Sequence, residues 1–221
     1  AVVPAVVALG SVFKCSNCND WHVGNVAAGW IASPDGLVVT NHHVLERPPG
    51  NHLGVMTSDG EVLAVTDVVA ADAARDTAVI RVDPRGRKLP HLGLGAAPGC
   101  GSSVTIISHP KGRFFSLTKG VVSRYHRMRY GDQPNRSPPD AVVAAPTWMT
   151  VTAEFAIGSS GGPVFDEAGR VVGMVSRTSP GGALAQGKPK EPPPPGGEQM
   201  IFRECVPVES LRSLFAVIRA P

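Results

Sequence analysis

Short runs of β-branched and aliphatic residues, separated by glycine, proline and aspartate, limit most strongly what this chain can fold into. Residues 27–32 and 37–40 flank Ser-Pro-Asp-Gly at residues 33–36, whose proline and glycine suit the special backbone positions of a tight turn. This pattern predicts a hairpin. Similar short runs occur at residues 2–3, 6–9, 53–57, 62–69, 77–82, 104–108, 120–123, 147–153, 171–176 and 201–206. They predict an all-β sandwich or barrel and argue against an alternating α/β fold.

The length of the chain limits how many such units it can contain. Its 221 residues, 43% of them apolar, suffice for one large β domain or two small barrels that share an interface. Residues 208–218 carry their apolar side chains on one helical face and predict a short C-terminal helix. The net charge of +3 is too small to indicate nucleic-acid binding. No apolar run reaches the roughly 18 residues that would predict a membrane span.

Residues 155–165 place Ser160 on a glycine-rich turn between apolar segments. Small neighbours let a substrate carbonyl approach, and the N–H groups of Gly158 and Ser160 could stabilise an oxyanion. A serine hydroxyl also needs an imidazole to accept its proton and a buried carboxylate to orient that imidazole. His43, at the end of an apolar run, and Asp76, just before another, are the candidates for these two roles.

These three stretches resemble the His, Asp and Ser motifs of trypsin/chymotrypsin-like serine peptidases, and most closely those of the bacterial HtrA/Deg branch. The matching segments are Thr-Asn-His-His-Val at residues 40–44, Asp-Thr-Ala-Val at 76–79 and Gly-Ser-Ser-Gly-Gly-Pro at 158–163. An α/β-hydrolase would place its acid and histidine after the serine, whereas His43 and Asp76 precede Ser160. The resemblance implies that His43 is the general base and then acid, Asp76 its orienting carboxylate, Ser160 the nucleophile, and Gly158 with Ser160 the oxyanion donors. For the adjacent His42 we expect a structural role, because neighbours on a strand face opposite ways.

The resemblance also implies an architecture and an activity. We expect two antiparallel six-stranded β-barrels with a short C-terminal helix, one barrel at residues 1–95 and the other at 96–221. The implied function is a serine endopeptidase that cleaves unfolded or exposed polypeptide segments through an acyl-enzyme, without a cofactor, in a periplasmic or secreted setting. The alternative is a catalytically latent binding module on the same fold. Whether the chain forms a homo-oligomer stays open.

Substrate preference depends on the residues that form the primary pocket. The resemblance implies that Glu154, six residues before the nucleophile, lies at the pocket base, and that Ser176, Arg177 and Thr178 form one wall. A carboxylate there would favour Arg or Lys before the scissile bond. However, Arg177 or Arg203 could neutralise it, and HtrA-like peptidases mostly prefer small apolar residues. Both preferences therefore stay open.

The four cysteines allow several interpretations. Cys15 and Cys18, followed closely by His22, have the spacing of half a zinc site. The other half would have to be Cys100 or Cys205, and neither belongs to a second Cys-x-x-Cys pair. We therefore expect disulfides or free thiols, and no metal.

Two further stretches have unusual composition. Residues 124–130 combine basic and aromatic side chains, which could contact nucleic acid. The small net charge favours a solvated loop beside the substrate cleft, with no nucleic-acid partner. Residues 130–139 and 179–199 are rich in proline and predict surface loops. The prolines at 192–195 could instead bind an aromatic groove of a partner.

Overall fold

The computed structural model describes residues 2–46, 52–128, 145–180 and 201–219, which form two closed antiparallel barrels and one α-helix. The first barrel has the strand order β1-β2-β3-β6-β5-β4. Its strands are β1 (Val6–Lys14), β2 (Trp21–Ile31), β3 (Leu37–Thr40), β4 (His52–Met56), β5 (Val62–Asp72) and β6 (Thr77–Val82). The predicted hairpin joins β2 to β3, and Gly36 at its turn has φ +95°. A Cβ at Gly36 would lie 2.4 Å from the carbonyl oxygen of Val82, so this turn requires glycine.

The second barrel has the strand order β10-β11-β12-β9-β8-β7. Its strands are β7 (Ser103–Ser108), β8 (Ser116–Arg127), β9 (Thr147–Val151), β10 (Pro163–Phe165), β11 (Val171–Pro180) and β12 (Ile201–Pro207), and helix α1 (Val208–Arg219) follows. The all-β prediction of two six-stranded barrels with a C-terminal helix is confirmed. Among the described residues, no helix is long and apolar enough to cross a membrane.

One apolar cluster joins the two barrels and the helix. Trp30 from β2 belongs to the same buried cluster as Trp148 from β9 and Leu211 from α1. Each fully buried side chain of this kind stabilises the fold by about 1.5–3 kcal/mol. His109, which is fully buried, adds a polar link, because its Nε2 lies 3.0 Å from the carbonyl oxygen of Val7 in β1. The interface therefore holds the barrels in a fixed relation around their junction.

Several local predictions differ from the structure. The expected strand at residues 2–3 is not formed: Val3 begins a 3-10 turn, Val3–Ala5, and Val2 caps it, because Pro4 lacks the N–H that a strand ladder needs. The short strand β10 was not predicted. Residues 124–127 belong to β8 and pair with β9, so this basic segment is a strand and not a loop. Residues 130–139 and 181–199 lie outside the described residues, whereas Ser179 and Pro180 end β11.

Candidate active site

Asp76 lies between β5 and β6, with φ +52°, and is 1% exposed. Its carboxylate accepts hydrogen bonds from the backbone N–H of His43 at 3.1 Å and from the hydroxyl of Ser176 at 2.6 Å. Nδ1 of His43 lies 3.0 Å from both carboxylate oxygens. The side-chain amide of Asn41 donates to the backbone carbonyl of Asp76 at 2.9 Å. The carboxylate is thus well supplied with donors although it is out of water, as a buried acidic group requires.

His43 lies in a 3-10 turn, His42–Leu45, that directly follows β3. When Nδ1–H donates to Asp76, Nε2 keeps its lone pair and can accept a proton. The expectation that His42 and His43 alternate on a strand is wrong, because the segment is a 3-10 turn. Such a turn rotates about 120° per residue, which still separates the two side chains. Nδ1 of His42 lies 3.4 Å from a carboxylate oxygen of Glu46.

Ser160 lies on a tight turn just before β10. The N–H of Ser159 donates to the carbonyl of Ala156 at 3.0 Å, and the N–H of Gly162 donates to the carbonyl of Ser159 at 2.9 Å. The carbonyl of Ser160 accepts a 2.7 Å hydrogen bond from the N–H of Ala28 in β2, which ties this turn to the first barrel. This contact fixes the turn beside the residues that carry His43.

Glycines let the turn take this shape. Gly158 and Gly161 have φ values of +96° and +84°. A Cβ on Gly158 would lie 2.5 Å from the carbonyl oxygen of His109, and one on Gly161 would lie 2.0 Å from that of Ala28. Among the described residues, no backbone carbonyl accepts a hydrogen bond from the N–H group of Gly158 or Ser160. Two N–H groups in this state are what an oxyanion hole requires.

Two cavities meet at Ser160. One, of about 250 Å³, is lined by Ser160, Gly158 and His43 together with residues of the first barrel. The other, of about 230 Å³, is lined by Phe155, Ala156, Ile157, Ser160, Val175, Ser176, Arg177 and Thr178. The two linings share Ile157 and Ser160. A larger cavity of about 510 Å³, beside Trp30 and Phe215, shares no lining residue with either. The structure therefore brings His43, Asp76 and Ser160 together where two barrels and two cavities meet.

Glu154 is not among the residues that line the cavity expected to contain it. Its side chain is 79% exposed, and its carboxylate lies 3.0 Å from a guanidinium nitrogen of Arg203 on β12. Ser176, Arg177 and Thr178 do line the cavity, as expected. The position of Glu154 six residues before Ser160 did not reveal that its carboxylate lies against Arg203 and outside the cavity lining.

An ion pair that the sequence did not reveal lies beside the cavity. Nε of Arg177 donates to Glu204 at 2.6 Å, and Nε2 of His126 lies 3.3 Å from the other carboxylate oxygen. Burial alone would raise the pKa of Glu204, but the contacts with His126 and Arg177 outweigh it and lower the pKa below its ordinary value. The Arg177 guanidinium also lies 4.9 Å from the ring centre of Trp148. The positive charge of Arg177 is therefore compensated before any substrate binds.

Ser176 contributes more than a pocket wall. Its hydroxyl donates to Asp76, and its carbonyl accepts a 3.2 Å hydrogen bond from the hydroxyl of Ser160. Ser176 and Asp76 are 100 residues apart in the chain, so no local pattern could have predicted this contact. Asn41 also escaped prediction as a supporting residue, although it lies within the segment that contains His43.

All four cysteines are free thiols in the structure. Cys205 is fully buried in the second barrel, where burial and the nearby charge of Glu204 raise the pKa of its thiol. Cys15 and Cys18 lie at the tip of the β1–β2 hairpin, and Cys100 is exposed in a separate turn. The disulfides considered from the sequence are therefore not formed.

Comparison with known proteins gives the family. The profile described as trypsin-like peptidase domain matches residues 27–174, which is more than half of the chain.

Proteins named "Probable periplasmic serine endoprotease DegP-like" are similar to this chain. The one from Pseudomonas savastanoi pv. phaseolicola is 33% identical over 153 residues, 69% of this chain and 29% of the relative. The one from Halomonas elongata is 34% identical over 155 residues, 69% of this chain and 29% of the relative. That from Brucella suis biovar 1 is 30% identical over 149 residues, 66% and 26% of the respective chains. This chain spans less than a third of the length of these relatives. The profile match and the barrel architecture identify the chain as a member of the trypsin-like peptidase family.

Proposed function

We propose that this chain is a serine endopeptidase domain in which Ser160 is the nucleophile, His43 the general base and acid, and Asp76 the carboxylate that orients His43. The observation that carries the proposal is the Nδ1–carboxylate contact of 3.0 Å between His43 and the buried Asp76. This contact fixes the imidazole tautomer that can accept a proton at Nε2. A serine in the same cavity as that imidazole is then available for nucleophilic catalysis.

The mechanism follows from these positions. Nε2 of His43 removes the proton from Ser160 as the serine oxygen attacks the carbonyl carbon of the scissile bond. The N–H groups of Gly158 and Ser160 stabilise the resulting oxyanion. His43 then gives the proton to the departing amine, which leaves an acyl group on Ser160. A water molecule, deprotonated by His43, hydrolyses this ester and restores the serine.

The substrate is proposed to be an unfolded or exposed polypeptide segment. Two cavities on either side of Ile157 and Ser160 suit an extended chain that passes across the nucleophile. Ile157 is 86% exposed between them and offers an apolar contact to such a chain. The DegP-like names of the relatives support a protein substrate and an extracytoplasmic, periplasmic location.

For the residue before the scissile bond, we propose a small uncharged side chain. Phe155, Ala156 and Val175 give the 230 Å³ cavity an apolar lining, and Arg177 is already paired with Glu204. Glu154, which would favour a basic residue, is exposed and paired with Arg203. In a peptide library, Glu154→Ala should leave the low cleavage after Arg and Lys unchanged, as should the exposed-site control Glu167→Ala. A selective loss of such cleavage in Glu154→Ala would restore the basic preference.

The domain boundary is proposed to lie between β6 and β7. This division gives an N-terminal domain at residues 1–95, with His43 and Asp76, and a C-terminal domain at 96–221, with Ser160 and the pocket. The strand order supports it, because β1–β6 close one barrel and β7–β12 close the other.

The test of the activity is cleavage of a reduced, unfolded protein substrate, with mass spectrometry of the products. We expect internal cuts by the wild-type chain and by Ser58→Ala, which alters an exposed serine that lines neither of the two cavities at Ser160. Ser160→Ala should abolish the cuts while the melting temperature stays unchanged. Cleavage by Ser160→Ala at the wild-type rate would refute the assignment. A folded wild type that binds the substrate without cutting it would favour the latent binding module.

A further inference from the structure

The tip of the β1–β2 hairpin gathers three side chains that the proposed peptidase chemistry does not use. The strands stay paired as far as Phe13 opposite His22 and Lys14 opposite Trp21. Beyond them, the N–H of Cys15 donates to the carbonyl of Asp20 at 2.8 Å. The chain between these residues therefore forms a closed loop that carries both Cys15 and Cys18.

The side chains of Cys15, Cys18 and His22 converge at this tip. One potential ligand atom from each, the sulfur of either cysteine and a ring nitrogen of the histidine, lies within 4.8 Å of the other two. The sulfur of Cys18 lies 2.9 Å from Nε2 of His22. The ring of His22 stacks on Phe13, with centroids 5.8 Å apart and planes 23° apart, which fixes its direction. Pairing of β1 with β2 therefore holds the His22 ring in place beside the two cysteines.

We propose that Cys15, Cys18 and His22 bind a Zn²⁺ ion at the hairpin tip, with a water molecule in the fourth position. Two sulfurs and one imidazole nitrogen form a donor set that suits zinc over magnesium or calcium. Binding replaces the two thiol protons, which pass to the solvent, and involves no oxidation or reduction. The inference does not depend on the proposed peptidase activity.

The distances are close to those of a tetrahedral site. Zn–S bonds of about 2.3 Å and Zn–N bonds of about 2.0–2.1 Å place two sulfurs about 3.8 Å apart and a sulfur about 3.5 Å from a nitrogen. Starting from separations of 4.8 Å or less, the ligands reach these values with shifts of about 1 Å. Small rotations of the partly exposed Cys15 side chain and the exposed Cys18 side chain suffice for such shifts, so the backbone of the loop need not change.

Packing does not explain the cysteine at position 18, because that residue is exposed. The expectation from the sequence that a zinc site needs Cys100 or Cys205 does not apply if water completes the shell.

Zinc at this tip would stiffen one wall of the cleft. Ser11 on β1 and Asn25 on β2 line the same cavity as His43 and Ser160. Ser11 lies four residues before Cys15, and Asn25 lies three residues after His22. These separations correspond to about 10–13 Å along a strand. Cross-linking β1 to β2 at the tip should therefore reduce opening of the hairpin at its cleft end.

The test is zinc content under reducing conditions. The wild-type chain and the variants Cys15→Ser, Cys18→Ser and Cys100→Ser would be loaded with zinc in the presence of a phosphine reductant and dialysed. Zinc would then be measured by elemental mass spectrometry. Cys100→Ser is the matched control, because it removes an exposed thiol outside the cluster. Replacement of zinc by Co²⁺ gives an independent spectroscopic readout, the thiolate-to-cobalt charge-transfer band.

We expect about one zinc per chain, and the cobalt band, in the wild type and in Cys100→Ser. Both signals should be lost in Cys15→Ser and in Cys18→Ser, which should still fold because their side chains are outside the core. Less than about a tenth of an equivalent in the wild type would overturn the proposal, as would equal zinc content in Cys15→Ser.

Discussion

Replacing Asp76 by asparagine removes the charge that faces His43 with little change in shape. In the structure, Nδ1 of His43 lies 3.0 Å from both carboxylate oxygens. When His43 takes the serine proton, the resulting imidazolium interacts with the carboxylate by about 332/(20 × 3.0), or about 5.5 kcal/mol, at an effective dielectric constant of about 20. At about 1.4 kcal/mol for each factor of ten, this corresponds to a loss of about 10⁴-fold in kcat/KM. Since the His43 side chain is 29% exposed, solvent screening lowers the expected loss to about 10³–10⁴-fold.

The assay is kcat/KM on a fluorogenic peptide, measured for Asp76→Asn and for the control Asp72→Asn. Asp72 lies in the same turn region, but its carboxylate is partly exposed and pairs with Arg75. Asp72→Asn should therefore change kcat/KM by less than about twofold, as expected for a surface ion pair. Asp76→Asn retaining more than a tenth of the wild-type kcat/KM, in a folded protein, would refute the electrostatic role of Asp76.

Three further variants test the surroundings of the site. Gly161→Ala should abolish activity and destabilise the fold, because its Cβ would lie 2.0 Å from a carbonyl oxygen of β2; urea unfolding and peptide cleavage measure both effects. Glu204→Gln should lower the free energy of unfolding by about 3 kcal/mol, because it leaves the partly buried Arg177 without its charged partner. Burial lowers the pKa of His109 below its ordinary value of 6.5, so below that pH the unfolded chain binds a proton that the folded chain does not. Stability should therefore fall between pH 7 and pH 5, and His109→Gln should reduce this slope.

Matched controls separate these effects from general destabilisation. Gly60→Ala also has a positive φ, +86°, but meets no atom within 4 Å, so it should cost only about 1–2 kcal/mol and leave activity intact. Glu167→Gln removes an exposed acidic group and should be neutral. Equal losses in Gly161→Ala and Gly60→Ala, or in Glu204→Gln and Glu167→Gln, would contradict the packing and the ion pair described above.

Short β-branched runs and turn residues carry local information, so they predicted the all-β class, while the resemblance to the peptidase motifs predicted the two six-stranded barrels. Strand bounds were less predictable, since they depend on pairing across the sheet. The run at residues 120–123 extends to β8, Ser116–Arg127, because β7 and β9 pair along most of its length. Residues 124–127 were predicted as a loop because charge and aromatic content do not reveal pairing to β9.

In the candidate site, too, residues within local motifs were predicted, whereas residues brought in by distant strands were not. The resemblance to the family's His and Asp motifs singled out His43 and Asp76, which the structure brings into hydrogen-bond contact. The hydroxyl of Ser176, which completes the Asp76 environment, comes from a strand 100 residues away and has no local signature. Glu154 was assigned to the pocket by its distance from Ser160 along the chain, but that distance does not determine the direction of a side chain. Its pairing with Arg203 depends on the position of β12 beside it, which only the fold determines.

The most direct test of the account is the intact mass of the chain after treatment with a fluorophosphonate. The reagent forms a stable bond only with a serine whose hydroxyl is activated and whose oxyanion hole is formed. We predict a single covalent adduct on the wild type and on Ser58→Ala, none on Ser160→Ala, and strongly slowed formation on His43→Ala. An adduct that persists in Ser160→Ala, or a folded wild type that forms none, would contradict the assignment of Ser160 as the activated nucleophile.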